Sequence, residues 1–271
     1  MTESLLLLLP PSETKRDGGN AAFTGELVDT PKDGGLSWAE TFGATRELVA
    51  SDLHQLAGDR GAARKILKIS EKQAEIELDR NRSLRTAPRM PALLRYTGVL
   101  YDALDAPTLT APQLSWAAHH VAVHSALFGL VGGGEGIPAY RLSASSRVGG
   151  VAPHQRWAPA TTEALAAHRG LVVDLRSKAY AALGPVAAAR SHVTLDVVSR
   201  TPDGTVRSLN HFNKRGKGLF TRGIISHAAS SPHRADQIGD VEQLAAFCRD
   251  AGWELEPTSA TAARLIVPEA L

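Results

Sequence analysis

The sequence predicts an α/β protein in which helices surround a mixed β-sheet. An apolar run of strand length lies near the start of the chain at residues 5–9, and a second lies at 171–175. Between and after them, segments with helical spacing alternate with short β-prone segments. Because neither an internal repeat nor a flexible Gly/Ser linker divides the 271 residues, we expect residues 1–271 to form a single domain.

The first part of the chain is predicted to be one strand followed by helices. The strand is the five leucines at 5–9, whose uniform apolar character is typical of a buried strand. Ser37 precedes apolar residues spaced by three and four, which indicates a capped helix. Ser70, with Gln73 three positions later, has the pattern of a capping box at the start of a further helix. Residues 36–95 are therefore predicted to form a helical insertion.

The second part of the chain alternates strands and helices. The strand at 171–175 precedes the helical stretch "SKAYAAL", and "HVTLDVVS" and "TVRSLNHF" flank the turn sequence "TPDG", which predicts a β-hairpin. A helix is expected to begin near Gly216. Asp240 caps another helix that stops at Gly252, and two short β-prone pieces, "WELEP" and "ARLIVP", follow. The glycine-rich stretch "LVGGGEGIPAY" is expected to be a mobile loop.

Composition limits the function classes. Lys plus Arg number 30 against 28 Asp plus Glu, so any anion site must come from local clustering. The single cysteine, Cys248, excludes an intramolecular disulfide and a CxxC zinc site, which fits a reducing cytoplasm. Neither a secretory signal nor a membrane-spanning run is expected. His120 and His124 have the spacing of a helical metal pair, but their apolar, β-branched surroundings favour core histidines. We expect a cytoplasmic monomer with no cofactor and no metal.

A basic stretch, "HFNKRGKGLFTRG", contains four fixed positive charges and no acidic residue. If a strand passes into a helix here, unpaired backbone N–H groups reinforce the charges, and phosphate is the natural ligand. The alternative is a solvated basic turn without a ligand. The candidate residues are Lys214, Arg215, Lys217 and Arg222.

A second basic region covers residues 60–95, where ten Lys and Arg residues outnumber four acidic ones. Cations one helical turn apart could follow a phosphate backbone, and each neutralised phosphate would add to a salt-dependent affinity. The alternative is that they are ordinary exposed charges on a helix surface. The residues assigned to this nucleic-acid surface are Arg64, Lys65, Lys68 and Lys72.

Polar side chains follow directly after the first strand. The stretch "PSETK" places Ser12, Glu13, Thr14 and Lys15 just beyond the carboxyl end of that strand. In open α/β sheets this is the edge at which ligands bind, so these residues are candidates for a site. A simple loop cap is the alternative.

Five motifs occur in an order and at spacings that resemble the YaaA family, the peroxide stress protein family. They are "LLLLPPSETK", "LLRYTGVLYDAL", "HSALFGLV" followed by "IPAYRLS", "LVVDLRSKAYAAL" and "NHFNKRGKGLFTRGII". Together they run through nearly the whole chain. The resemblance implies a YaaA-like α/β fold with a helix-hairpin-helix-like element, a cytoplasmic location, binding of double-stranded DNA, and limitation of damage from peroxide and free iron.

The resemblance also places particular residues. The helix-hairpin-helix-like element falls near residues 65–77, where Ala74 and Glu75 stand at the place of the expected hairpin glycine. Residues 132–134 are glycines where many relatives carry a rigid Arg-Pro turn. The matched polar positions are Ser12, Lys15, Tyr96, Gly98, Tyr101, Tyr140, Arg141, Ser177, Tyr180, Asn213 and Lys214.

Two functional hypotheses follow, with a purely structural scaffold as a third. In the first, the protein is a stress protein that binds double-stranded DNA or another phosphate-bearing ligand through its basic loops. In the second, it is an enzyme that acts on a nucleobase, a nucleotide or another small anionic substrate. Arg141 and Lys214 would then bind the anion, Lys15 would assist, and Glu13 would serve as general base.

Overall fold

The structure is a computed structural model that describes residues 5–20, 26–31, 34–187, 191–200, 206–208 and 212–268. Its strands are β1 Leu6–Leu9, β2 Met90–Pro91, β3 Val121–Ser125, β4 Gly129–Gly132, β5 Gly136–Ile137, β6 Val172–Asp174, β7 His192–Arg200, β8 Val206–Ser208, β9 Glu254–Ser259 and β10 Ala262–Val267. Its helices are α1 Ala39–Leu56, α2 Arg60–Leu67, α3 Glu71–Arg82, α4 Ala92–Arg95, α5 Val99–Leu104, α6 Ala111–His120, α7 Pro153–Ala167, α8 Lys178–Ala181, α9 Phe212–Ser230, α10 Pro232–Ala235 and α11 Val241–Asp250.

The main sheet is mixed, which confirms the predicted fold class. Its strands follow the order β4-β3-β1-β6-β7-β10-β9, and β8 pairs with β7. The inner strands from β3 to β10 are mutually parallel, whereas β4, β8 and β9 each run antiparallel to their neighbour. The predicted hairpin is present as the β7/β8 pair, and its turn "TPDG" lies outside the described residues. β2 and β5 form a separate two-stranded pair.

The leucine run is a buried strand at the centre of this sheet. Leu7 pairs with Val121 on one side and with Val173 on the other, so β1 has a parallel partner along both edges. All five leucines at 5–9 are at most 1% exposed. A strand covered on both faces needs apolar residues at every position, which is why the run does not alternate.

Helices α1 to α4 lie within the predicted insertion, and α5 and α6 continue the helical structure up to β3. The capping box at the start of α3 is confirmed, because Ser70 and Gln73 bond reciprocally. Residues 68–70 join α2 to α3, and Lys68 takes the left-handed conformation there with φ of 53°. Ala74 and Glu75 therefore lie inside α3 and not in the turn. Whether the pair is a helix-hairpin-helix element stays a prediction.

The helix boundaries require two corrections. Ser37 is not the N-cap of α1: the helix begins at Ala39 with Trp38 as N-cap residue, and the Ser37 hydroxyl donates to Glu135 while accepting from the Ala39 N–H. The helix predicted near Gly216 begins at Phe212, four residues earlier. The Asp240 cap of α11 is confirmed by its bond from the Gln243 N–H at 2.8 Å.

The glycine-rich stretch is not the mobile loop that the composition predicts. Gly132, Gly133, Glu135 and Gly136 are all buried. A Cβ atom on Gly132 would lie 2.1 Å from the carbonyl oxygen of Leu36, which is far inside van der Waals contact. The glycines are required because backbone segments approach one another closely here.

The turn between β4 and β5 is held by a buried carboxylate. Glu135 accepts from the Gly132 N–H at 2.8 Å and from the Ser37 hydroxyl at 2.7 Å. Arg46 lies 3.9 Å from the same carboxylate. Burial raises the pKa of Glu135, and Arg46 opposes that rise.

None of the helices in the described parts of the chain is both long enough and apolar enough to cross a membrane.

Gly132→Ala should destabilise the protein by about 1–3 kcal/mol or more, because the new methyl group overlaps the Leu36 carbonyl. Urea denaturation followed by circular dichroism measures the change. Gly43→Ala is the matched control: Gly43 lies within α1 with open space around its Cβ position, and this variant should gain up to about 1 kcal/mol. Equal stabilities of the two variants would contradict the close-packing account.

Candidate functional site

The candidate site lies where β1, β3 and β6 end at one edge of the sheet. From β1 the chain passes first to β3 on one side and later to β6 on the other side. Such a reversal of direction opens a crevice at the carboxyl ends of the strands, and ligands of open α/β sheets bind there. The loops that follow β1 and β6, together with residues after β5, supply the polar side chains.

Lys15 is a buried ionisable group at this edge whose pKa lies near neutrality. It is 6% exposed, and its Nζ donates to the carbonyl oxygens of Ser12 at 2.9 Å and Glu13 at 3.3 Å. The same nitrogen lies 3.9 Å from the ring centroid of Tyr140 and 5.3 Å from that of Tyr96. Burial lowers the pKa of Lys15 to about 7, with Glu77 opposing the shift and Arg141 adding to it.

Two tyrosines contact this amine, Tyr96 and Tyr140, and the other two tyrosines of the chain, Tyr101 and Tyr180, interact with them. We call the four the tyrosine cluster. The ring centroids of Tyr96 and Tyr101 are 5.1 Å apart, and those of Tyr96 and Tyr140 are 6.4 Å apart. Burial raises the pKa of all four hydroxyl groups, so each one remains protonated at neutral pH.

The hydroxyl groups are joined in a chain. Tyr140 Oη lies 2.8 Å from Tyr96 Oη and 2.7 Å from Ser125 Oγ. Ser125 in turn accepts from the backbone N–H groups of Leu127 and Phe128. Tyr101 is bonded separately, to the carbonyl oxygen of Pro10 at 2.8 Å.

Arg141 brings a buried positive charge to the cluster. It is 7% exposed, and its guanidinium donates to the carboxylate of Glu13, whose side chain is 56% exposed. Asn81 on α3 fixes the backbone of Arg141 by accepting from its N–H at 2.8 Å and donating to its carbonyl at 3.0 Å. Of the predicted group Glu13, Lys15, Arg141 and Lys214, the first three are neighbours, and their assignment to a site stays a prediction.

Glu77 on α3 is a further acidic group of this region. It is 8% exposed, and it contacts Arg80 at 3.3 Å through one carboxylate oxygen. Its other oxygen has no hydrogen-bond partner in the described part of the chain. Because Glu77 is the residue that most opposes the lowered pKa of Lys15, its charge acts on the amine across the site.

A second buried network supports the end of β6. Arg176 donates to both oxygens of Asp174, at 2.9 and 2.7 Å, and its Nη1 donates to His124 Nδ1 at 2.8 Å and to the Gly184 carbonyl. Burial and the neighbouring Arg176 lower the pKa of His124, which is therefore neutral. Lys217 completes the network by donating to the carbonyl oxygen of Leu175 at 2.9 Å.

The remaining predicted ligand residues have varied positions. Ser12 bonds to Thr14 at 3.2 Å, and Gly98, with φ of 94°, packs against both hydroxyl groups. Ser177 is exposed at the start of α8. Asn213 is half-buried, and Lys214 is exposed in the first turn of α9. Within the residues that the structure describes, no contact joins Lys214 to Glu13 or Arg141.

The cations predicted for nucleic-acid binding differ in their availability. Lys217 is buried, and Arg222 donates to the carbonyl oxygens of Leu104 and Asp105 at 2.9 Å. Arg64 is paired with Glu71, and Lys68 donates to Ser145. Four of these predicted cations are exposed and have neither an ion pair nor a side-chain hydrogen bond within the described parts of the chain: Lys65, Lys72, Lys214 and Arg215.

Most of the positive side chains of residues 60–95 are bound to other groups of the protein. Five of its arginines form ion pairs, namely Arg60, Arg64, Arg80, Arg82 and Arg85. Arg89 and Arg95 are buried and donate to backbone carbonyl groups. The three lysines of the region remain as its outward-facing positive charge.

Two surface cavities lie outside the cluster. One of about 650 Å³ is lined by β9 and by residues including Arg249 and Trp253, and one of about 360 Å³ lies beside α3 with Arg80 and Arg95 in its wall. Neither is lined by Lys15 or Arg141. In the described residues no group of three or more His, Cys, Asp or Glu side chains could hold a metal ion.

Comparisons with known proteins agree on one family. Residues 5–258 match the family model described as peroxide stress protein YaaA. A UPF0246 protein from Corynebacterium efficiens is 42% identical over 257 residues, covering 93% of this chain and 95% of the relative. A UPF0246 protein from Streptomyces coelicolor is 39% identical over 260 residues, covering 93% of this chain and 92% of the relative.

The lowered pKa of Lys15 predicts a specific pH dependence of stability. Between pH 7 and about 10, the unfolded chain carries a proton on Lys15 that the folded protein has released, so the free energy of unfolding rises with pH. Lys15→Met should remove this rise. The difference in free energy of unfolding, variant minus wild type, should therefore be larger at pH 6.5 than at pH 9.5, by at most about 3 kcal/mol.

Urea denaturation at several pH values measures this difference. Lys65→Met, at an exposed position of α2, is the matched control, and its pH profile should run parallel to that of wild type. A parallel profile for Lys15→Met would show that burial does not perturb this amine.

Proposed function

Because the chain belongs to the family of the peroxide stress protein YaaA, we propose that it serves the response to peroxide stress as an enzyme for a small anionic substrate. The observation that carries the proposal is the buried environment of the Lys15 amine. This amine is buried at the carboxyl edge of the sheet, lies against Tyr140, and has a pKa of about 7. A group that gains and loses a proton near neutral pH is suited to acid–base catalysis.

Arg141 supplies the anion-binding function in this proposal. Its guanidinium is buried, whereas the Glu13 carboxylate that contacts it is 56% exposed. The carboxylate of Glu13 thus occupies the position that a carboxylate or phosphate of the substrate would take. Glu13 lies on the exposed side of this pair, so a substrate anion can replace it, and the buried charge of Arg141 then keeps a negative partner. Substrate entry then requires the loop that carries Glu13 to move.

Lys15, and not Glu13, is the better candidate for the general base. Glu13 is exposed and its carboxylate is bound to Arg141, which leaves it poorly placed to accept a proton in a sequestered site. Neutral Lys15 has a free electron pair, and its position over the tyrosine cluster excludes water. The substrate class remains that of nucleobases, nucleotides and similar small anions, and Lys214 has no role in this reaction.

The only cysteine does not supply peroxide chemistry. Cys248 is fully buried in α11, and burial raises the pKa of its thiol to about 12. Peroxide reacts with thiolates that are exposed and ionised at neutral pH. Protection from peroxide would therefore result from the reaction at Lys15 and not from oxidation of a thiol.

Binding of double-stranded DNA is the second candidate function. Its support is the resemblance to the family together with the exposed cations Lys65, Lys72, Lys214 and Arg215. Exposed lysines and arginines without ion pairs can neutralise phosphates without first breaking a contact in the protein. The two functions are compatible, because these cations do not belong to the tyrosine cluster.

The enzyme proposal predicts that Arg141 is needed to bind anions. Calorimetry with inorganic phosphate and with adenosine monophosphate should show binding to wild type, and Arg141→Gln should weaken it by about tenfold to a hundredfold, as expected for charge-assisted hydrogen bonds. Arg85→Gln removes an exposed arginine paired with Glu47 and should bind like wild type. Lys15→Met should still bind both probes, because this proposal assigns Lys15 to proton transfer and Arg141 to anion binding.

Two results would contradict the enzyme proposal. One is that wild type binds neither probe. The other is that Arg141→Gln binds as tightly as Arg85→Gln.

The DNA hypothesis predicts a salt dependence that the exposed cations set. The affinity for a short duplex should fall with salt in wild type, and Lys214→Ala with Arg215→Ala should reduce the slope of log K against log salt by about 2. Lys65→Ala with Lys72→Ala should do the same. Lys178→Ala, an exposed lysine on α8, is the control. Slopes that match the control in both double variants would exclude DNA binding through these residues.

A further inference from the structure

The hydrogen bonds of Ser125 determine the direction of the hydroxyl chain. A serine hydroxyl has two lone pairs and one hydrogen. Ser125 Oγ accepts from the Leu127 N–H at 3.0 Å and from the Phe128 N–H at 3.1 Å, so both of its lone pairs are engaged. Its contact with Tyr140 Oη at 2.7 Å must therefore use the serine hydrogen, and Ser125 donates to Tyr140.

The donor of the next hydrogen bond, between Tyr140 and Tyr96, follows from this assignment. Tyr140 Oη accepts from Ser125, and its own hydrogen is donated to Tyr96 Oη at 2.8 Å. Tyr96 keeps a hydrogen that neither of these two groups can accept. Among the described residues, Tyr96 Oη forms no hydrogen bond in which that hydrogen is donated to another acceptor. A buried donor therefore remains available beside Lys15, whose Nζ lies 5.3 Å from the Tyr96 ring centroid.

We propose that Tyr96 is the hydrogen-bond donor that binds an oxygen atom of the substrate. This inference rests on the proposed function, and it adds a chemical requirement to the substrate. Besides the negative charge that Arg141 attracts, the substrate must present an acceptor oxygen, such as that of a carbonyl, carboxylate or phosphate group. The backbone N–H groups of Leu127 and Phe128 prevent the chain from reversing, so Tyr96 always presents a hydrogen.

This fixed direction makes Tyr96 a determinant of specificity. A ligand without an acceptor oxygen leaves the buried donor unpaired when it binds. Such a ligand therefore binds more weakly than one that accepts the hydrogen bond. Burial keeps the hydroxyl protonated, as the raised pKa of Tyr96 shows. The donor is therefore present across the physiological pH range.

Calorimetry with inorganic phosphate and adenosine monophosphate tests the inference. Tyr96→Phe keeps the ring that packs on Tyr101 and removes only the hydroxyl. It should bind both probes at least about tenfold more weakly than wild type, the loss expected for a hydrogen bond to a charged group. Ser230→Ala, which removes an exposed hydroxyl at the end of α9, should bind like wild type.

A second measurement on the wild-type protein avoids any folding defect of the variant. Because the chain has only four tyrosines, tyrosine labelled with ¹³C at Cζ gives four NMR signals, all from the cluster. The Tyr96 signal should shift when phosphate saturates the site. Unchanged affinity in Tyr96→Phe, or an unmoved Tyr96 signal with phosphate bound, would overturn this inference alone. Absence of binding to wild type would overturn it together with the enzyme proposal.

Discussion

The burial of β1 between two parallel neighbours is the constraint on which the rest of the structure depends. Because β3 and β6 occupy both edges of this strand, the segment that follows it begins at the edge of the sheet where all three strands end. Lys15 lies on that segment and is bridged to Tyr96. An amine six residues beyond a fully buried strand thus has little access to water, and its chemistry follows from that position.

Buried arginines hold the irregular backbone that surrounds this strand. Arg46 donates to the carbonyls of Phe128 and Leu130, and Arg95 donates to those of Ile137, Arg16 and Pro88. Such carbonyl groups would otherwise be buried without partners, which costs more than an ordinary hydrogen bond contributes. A guanidinium group can satisfy several of them at once because it has five donors in a fixed plane. Arginines of this kind stabilise loops and contribute no positive charge to the outer surface.

The sequence predicts the main elements well and the contacts between distant residues poorly. Periodicity and caps predict the α/β class, the strand at 5–9, and the helices that begin after Ser70 and Asp240. The strand-end argument also brings Glu13, Lys15 and Arg141 together. Those predictions depend on local patterns or on a rule for parallel sheets, and both can be evaluated without knowing tertiary contacts.

The missed features depend on long-range packing. Asn81 and Glu77 look like ordinary helix residues, and only the packing of α3 against the site gives them a role. Ser125 becomes informative only when the N–H groups that engage its lone pairs are known. The glycines at 132–134 suggest mobility by composition, yet the Leu36 backbone at Gly132 and the side chains of Leu93 and Ala118 at the next two positions leave no room for a Cβ atom. A count of charges likewise cannot distinguish a cation in solvent from one bonded to a carbonyl.

The order of the sheet has a consequence for the behaviour of the protein at high concentration. One outer strand, β4, is buried, whereas most residues of the other, β9, are exposed. β9 carries Pro257, which has no N–H to donate, and Glu254 and Glu256, which are paired with Arg200. A proline on an edge strand opposes pairing with further strands, so Pro257 is the residue of β9 that works against intermolecular β-sheet formation and aggregation.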